Sequence, residues 1–405
     1  MAVFSALLRR GATSLALTIM GEWAPPQLQA DVSIIGGGGA SNPSLVRETM
    51  GVPVALSVPI RISSTTQALF RAEVDAIDAY LRLGECTLEV SFTDSAAATI
   101  WTVYHAQPVQ PGFTRAADIQ HVSECSLQLV VSPFVTVAPV TLHTAAAYTA
   151  PDSVSLAAMG GNYRTPLTID LNATNADLHA AYLAIDQGSY DAYRFDAKDF
   201  TWGAGETDTA DADAFSGTAA YVASTTNVAG TLDTSALPAG PYLLLARVRV
   251  LASETGTITT DYTADSPVTF TRGSWHIVEL GRCYLPTRVV RNSASALLTV
   301  SLKSSSATAG HEACMDWLYC LPIGDGYFGW HPTTATVECD TLGRDAATGT
   351  TYVDDVANEQ HCCPGSTLMA LGGTLLIVTD GTDGDTPTHD GAITVTYTPR
   401  FAWMR

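Results

Sequence analysis

The chain has 405 residues, 46% of them apolar and only 15% charged, which is enough to bury large cores and is unlike a disordered polymer. Against 20 basic residues stand 40 acidic ones, a formal net charge of −20, and lysine occurs only at Lys198 and Lys303. No basic stripe is available to displace phosphate counterions, so a nucleic-acid binder is excluded. No apolar run approaches the ~18 residues of a membrane-spanning helix, so no membrane insertion is expected.

The opening segment Met1–Met20 mimics a signal peptide. However, Thr13, Ser14 and Thr18 interrupt its apolar part, and Arg9 and Arg10 follow an apolar stretch instead of preceding it, so it reads as the first strand of a domain. After the glycine-rich turn Gly36–Gly39, Val54–Ile62 alternates, with Val54, Leu56, Val58, Ile60 and Ile62 on one face. Ser64–Leu83 is the best helix in the chain. Leu69, Phe70, Val74, Ile77 and Leu81 recur at helical spacing, Ser63–Thr66 offers capping oxygens, and Gly84 stops it. Strands follow at Cys86–Phe92, Thr99–Ala106 and Cys125–Val137. Residues 1–155 therefore read as a small α+β unit with one helix lying across an antiparallel sheet.

The Ala/Thr-rich stretch Thr141–Ser155 reads as a linker, followed by Gly160–Pro166 and a strand at Leu167–Leu171. From there to Arg405 short strands alternate with Gly, Asp, Ser and Thr, so residues 156–405 read as a jelly-roll β-sandwich and the whole protein as mainly β. Its strongest strands are Pro241–Val250, Trp275–Gly281, Ala296–Leu302 and Cys314–Pro322. In the first of these Ala246–Val250 alternates apolar and charged residues, the mark of a strand with one wet face.

Eight cysteines stand at positions 86, 125, 283, 314, 320, 339, 362 and 363 with no Cys-x-x-Cys pair. His311, Cys314, Cys320, Cys339 and His361–Cys363 could gather around zinc, but buried thiols or one disulfide are the plainer reading, and no cofactor is expected. Asp380–Asp390 could hold calcium but lacks the ordered EF-hand spacing, so it reads as an acidic hairpin loop, as does Glu206–Asp213. Trp202, Tyr221, Trp275, Tyr284, Trp317, Tyr319, Tyr327, Phe328 and Trp330 could stack sugars. Most must be core, and Tyr327, Phe328 and Trp330, on one turn, are the best exposed candidates for sugar contact. No Gly-x-Ser-x-Gly, His-Glu-x-x-His, P-loop or dinucleotide fingerprint occurs, so no enzyme is expected.

The two halves resemble the distal tail proteins, and related minor tail proteins, of long-tailed (siphovirus-like) bacteriophages. Ala68–Leu81 followed by Gly84–Val90 is similar to their ring-forming belt domain. Gly161-Asn-Tyr-Arg-Thr-Pro-Leu-Thr-Ile169 resembles the joint that opens their carbohydrate-binding-module-like C-terminal domain, and Leu375–Thr379 with Ile393–Phe401 resembles its closing strands.

The resemblance implies a structural virion protein assembled in the host cytoplasm and placed in the baseplate at the tail tip. It implies a homo-hexamer that joins the tail tube protein to hub and receptor-binding proteins, with DNA passing through the lumen without specific binding. Belt edge strands would be covered by the neighbouring copy, and Arg9, Arg47, Arg61, Arg71 and Arg82 are candidate contacts for its carboxylates. Two rival readings stand beside it. One is a carbohydrate-binding adhesin or receptor-binding protein that takes a cell-surface glycan. The other is a polysaccharide-cleaving enzyme, which requires two carboxyl groups facing one cleft.

Overall fold

The computed structural model describes residues 3–20, 32–34, 46–48, 53–92, 98–107, 121–132, 134–150, 152–161, 163–173, 178–263, 266–285, 296–324, 326–332, 341–345, 350–358, 360–362, 368–381 and 389–401. The protein is mainly β, as the sequence reads, with one α-helix among these residues. Among the described residues no helix is long and apolar enough to cross a membrane.

The chain groups into two units, and the division does not fall at a single point. Unit 1 takes residues 1–140, 160–164 and 398–405, and unit 2 takes 141–159 and 165–397.

Unit 1 contains β1 (Val3–Arg10), β2 (Thr13–Leu17), β3 (Val32–Ile34), β4 (Val46–Glu48), β5 (Val54–Ser63), α1 (Gln67–Arg82), β6 (Cys86–Phe92), β7 (Thr99–Ala106), β8 (Val122–Val131) and β9 (Val135–Thr136). Among the described residues, strands β3 and β4 pair with each other as a two-stranded sheet. The remaining sheet runs in the order β2-β1-β6-β7-β8-β5, all neighbours antiparallel. Its two ends then meet. Ile19 bridges Ile60, Met20 N donates to Pro59 O at 3.1 Å, and Arg61 N donates to Thr18 O at 2.8 Å.

The sheet is thus a closed barrel. Alternate residues point inward, such as Cys86, Leu88, Val90 and Phe92 on β6 and Leu56, Val58, Ile60 and Ile62 on β5, and these form one apolar core. The two end strands thus meet within the chain at residues 18–20 and 59–61, which covers that part of the sheet edge.

Helix α1 closes over that core. Thr66 caps it, with Oγ1 accepting from Leu69 N at 3.3 Å, and Gly84 ends it at φ +98°, a conformation that favours glycine. Phe70, Val74, Ile77 and Leu81 are buried, one residue per turn along a single stripe. Leu69, expected inside, is 55% exposed, because it lies about 100° around the helix from Phe70 and falls off the stripe. Truncating Phe70 to Ala should cost unit 1 about 3–5 kcal/mol through lost burial and the cavity left behind. Amide exchange should then accelerate in β5 and β7 while the cores of unit 2 keep their protection.

Unit 2 is built as one sandwich nested inside another. The outer one begins with β10 (Val140–Ala150), β11 (Asp152–Ser155), β12 (Thr165–Ala173) and β13 (Leu178–Asp186). The chain then makes the inner sandwich. Its strands are β14 (Arg194–Asp196), β15 (Thr201–Trp202), β16 (Glu206–Ala210), β17 (Thr218–Val222), β18 (Val228–Asp233), β19 (Gly240–Val250), β20 (Gly256–Thr260), β21 (Val268–Phe270), β22 (His276–Leu285), β23 (Leu297–Ser304) and β24 (Ala313–Pro322). It returns through β25 (Tyr327–Trp330), β26 (Thr341–Arg344), β27 (Thr351–Val353), β28 (Val356–Ala357), β29 (Met369–Ala370), β30 (Thr374–Gly381) and β31 (His389–Tyr397). One more strand, β32 (Arg400–Phe401), belongs to unit 1, where it pairs with β9.

Among the described residues unit 2 has four sheets. They are a seven-stranded sheet around β12 and β31, the four-stranded sheet β11-β30-β13-β25, a six-stranded sheet around β24 and β19, and a five-stranded sheet around β18 and β23. The four-stranded sheet is apolar on both faces. Ala181, Leu183, Ile185, Leu375 and Ile377 join the core shared with the seven-stranded sheet, and Ala180, Tyr182, Ala184, Leu376 and Val378 join the core of the inner sandwich. A strand covered on both sides reads as a continuous apolar run, as Leu178–Asp186 does.

Within the stretch 141–155, expected as a linker, residues 141–150 and 152–155 are strand. β10 pairs with β31, and β11 with β30 from Asp152↔Ile377 to Ser155↔Thr374. Its Thr residues, Tyr148 and Val154 favour strand, and its Ala residues, which strands use sparingly, hid that.

Candidate functional site

The three sugar-contact candidates lie on β25, the edge strand of the four-stranded sheet, which pairs with β13 from Ala181↔Trp330 to Ala184↔Tyr327. All three are buried, Trp330 to 1% exposure. Successive strand residues face opposite ways, so Tyr327 enters the inner-sandwich core while Phe328 and Trp330 enter the outer one. The Arg282 guanidinium bonds the Tyr327 hydroxyl and lies over its ring at 5.1 Å, and Arg344 lies over Phe328 at 5.4 Å. A stacking platform needs coplanar, wet rings. Tyr327, Phe328 and Trp330 are buried and face opposite ways, and the exposed-turn reading is corrected. Of the nine aromatics singled out, Tyr284 alone is exposed, at 59%.

The structure brings together a polar network that the sequence did not announce. On β19, Arg247 donates from Nη1 to Asp316 Oδ2 at 2.5 Å and to Asp213 O at 2.9 Å. Both Asp316 oxygens accept from Phe215 N, at 3.1 and 3.0 Å. Two residues on, Arg249 Nη2 donates to Asp211 Oδ2 at 2.5 Å and to the Tyr221 hydroxyl at 2.7 Å. The buried Trp275 ring takes both guanidinium groups, Arg247 at 5.3 Å and Arg249 at 4.6 Å from its centroid. Alongside, Arg194 lies over Phe215 at 3.8 Å and pairs with Asp191 at 3.0 Å and Asp196 at 3.1 Å.

The Arg247/Arg249 alternation, read as a wet strand face, is instead a covered one. Residues 211–217 fold over it and the carboxylates turn inward. Burial pushes the Asp316 carboxyl upward, against the opposing pull of Arg247 and Phe215 N–H. Each charge meets a partner inside the protein, so the network is built to hold the loop to the sheet.

The acidic run Glu206–Asp213 divides accordingly. Asp211 is buried in the network. Glu206 and Asp208 face each other, and burial with the Asp208 charge raises Glu206 to about 7. Asp380 opens the second acidic run and is also buried, accepting from Ile277 N at 3.1 Å with Arg272 at 3.9 Å. Nearby, burial lowers both His276 and His331. Residues 382–388 of that run, and Gly36–Gly39, lie outside the described residues.

Cys86, Cys125, Cys283, Cys314, Cys320 and Cys362 are free thiols, and Cys339 and Cys363 lie outside the described residues. Cys314 and Cys320 are buried strand residues of β24, and His311 pairs with Glu254 at 2.8 Å. Among the described residues no three His, Cys, Asp or Glu side chains are placed to hold a metal.

On unit 1, Arg61, Arg71 and Arg82 are all exposed. Arg61 lies opposite Glu124 across β5 and β8. Arg71 and Arg82, eleven positions apart, share a face of α1 roughly 16 Å from one another along its axis. Asp75 and Asp78 lie between them on that face, and Arg82 reaches Asp78 at 3.7 Å. Arg9 pairs with Glu89 at 2.8 Å. The side chain of Arg47 lies outside the described ones.

No family model matches the chain, and neither does any curated protein. Among solved structures, the chain is similar to the SPP1 Dit protein (gp 19.1), described as a paradigm of the hub adsorption apparatus in phages infecting Gram-positive hosts. The TM-score is 0.29 at 9% identity, over 78% of this chain and 99% of that one. It is also similar to a chain of the phage P2 baseplate in its activated conformation with Ca, at TM-score 0.28 and 8% identity, over 75% of this chain and 98% of that one. A third likeness is to the exo-β-1,3-galactanase of Phanerochaete chrysosporium with galactose, at TM-score 0.23 and 11% identity, over 67% and 82%. At such identities and scores these likenesses bear on neither the binding nor the chemistry of the chain.

Proposed function

We propose that this chain is a structural, non-enzymatic protein of a phage-like tail tip, with unit 1 as its self-associating part and unit 2 carrying the β-sandwiches. The observation that carries the reading is the pairing of a helix-bearing β unit with a separate set of β-sandwiches in the order that the sequence resemblance implies. Six copies in a ring come from that resemblance alone, as do the tail tube, the hub and receptor-binding partners and the virion location. A charge of −20 per chain suits a conduit that lets DNA pass without adsorbing its phosphates.

In this reading the ring contacts are made by side chains on the outer surface of unit 1 and on α1. The surface stripe Arg71, Asp75, Asp78 and Arg82 carries both signs of charge, which suits head-to-tail pairing with a neighbour. Replacing Arg71 and Arg82 together by Glu turns this stripe wholly acidic. The expected result is loss of the assembled ring in mass photometry with unit 2 still folded by circular dichroism. A wild-type assembly whose mass is not six copies, or a simple multiple, removes the ring from this reading.

A further inference from the structure

The chain reaches residues Thr398–Phe401 only after traversing all of unit 2, yet these residues complete unit 1. β32 pairs with β9 as Arg400↔Thr136 and Phe401↔Val135, and Val137 N donates to Pro399 O at 3.4 Å. Arg400 is also bridged to Tyr163. Its guanidinium sits over the Phe134 ring at 4.0 Å, and Phe134 stacks on Tyr163 at 5.8 Å. Gly161 shows how narrow the slot is. A Cβ there would come within 2.6 Å of the Arg400 carbonyl oxygen, and its φ is +104°. Phe401 packs against the barrel core, where Val135 is buried.

Without these residues β9, only two residues long, would keep its bridge from Thr136 to Ile100 on β7, the Thr136 Oγ1 bond to Ile100 O at 3.3 Å and the place of Val135 in the barrel core, but would lose its pairing on the other side. Phe134 and Tyr163 would lose the cation that holds them, and Val135 would lose Phe401 as a cover.

We propose that Thr398–Phe401 is a strap that completes the N-terminal barrel unit, so that no chain holds a finished unit 1 until its sandwiches have been made. Domains at the start of a chain ordinarily fold during synthesis, ahead of the later domains. Here the geometry withholds that, and whatever surface unit 1 uses to self-associate matures only on chains that already carry unit 2.

Hydrogen exchange on a chain ending at Tyr397, compared with one ending at Phe401, tests the strap. Protection at β9, in the β7 segment beside it and at residues 160–164 should fall by about tenfold or more in the shorter chain, with β19, β24 and β31 unchanged. Equal protection at β9 in the two chains overturns the proposal. So does a loss spread alike over both units, which would mean general damage. If the shorter chain is insoluble, the full chain carrying Arg400→Ala and Phe401→Ala decides the matter by the same readout: selective loss in unit 1 supports the strap, and unchanged protection sinks it.

Discussion

Replacing Asp316 by Ala is expected to lower the stability of unit 2 by about 3–5 kcal/mol, because it leaves the Arg247 cation buried and unpaired. Asp316 is fully buried and accepts from Arg247 at 2.5 Å and from Phe215 N at 3.0 and 3.1 Å. Arg247, itself buried, is held away from water between Asp213 O and the Trp275 ring. Asp316→Asn retains an acceptor for Phe215 N–H but does not cancel the charge, so most of the loss should persist. Replacing both partners together, Arg247→Met with Asp316→Leu, should recover much of it, since a buried pair exchanged for packed apolar groups is often close to neutral. Urea denaturation of the four proteins checks this. A single-variant loss under about 1 kcal/mol would place the pair among those that contribute little, as exposed pairs do.

Acid should unfold unit 2 in part through His276. Burial, with Arg272, His331 and Arg247 nearby, lowers this imidazole from its ordinary 6.5 to about 4, against the hydrogen bond that its Nδ1 makes with Ser274 O at 3.1 Å. The folded pKa is depressed, so between pH 6.5 and 4 the unfolded chain binds a proton that the folded one refuses. Stability from this group is therefore fully present above pH 6.5 and lost as pH falls to about 4, amounting to about 3 kcal/mol.

Glu206 works the other way. Its folded pKa of about 7 against an ordinary 4.5 adds stability as pH drops through that interval, an effect reduced by its partial exposure to solvent. Asp316 and Asp380, both raised by burial, act in the same sense as Glu206 at lower pH. The test is therefore a difference. His276→Gln should flatten the fall in unfolding free energy between pH 7 and 5 relative to wild type, whatever its effect at pH 7. Identical slopes in the two proteins would show that His276 is hydrated in the folded state.

By itself the sequence determined the class of the protein and its local elements. Alternation placed Leu56, Val58, Ile60 and Ile62 on one strand face, and helical spacing placed Phe70, Val74, Ile77 and Leu81 on one stripe, because these periods are set by backbone geometry within a few residues. Tertiary structure alone decided the rest. Barrel closure rests on the bridge between Ile19 and Ile60, forty-one positions apart, and no local pattern encodes which strand ends meet. The nesting of one sandwich inside another depends on β13 finding β25 across the whole intervening domain.

The same reason explains the misread site residues. Whether Tyr327, Phe328 and Trp330 form a wet turn or a buried strand is settled by two layers contributed from elsewhere in the chain. Whether Arg247 and Arg249 face water is settled by a loop some thirty residues upstream that brings Asp211 and the Asp213 carbonyl to them. Charge and aromaticity are properties of a residue. Exposure is a property of what packs against it, and that is fixed only when distant strands meet.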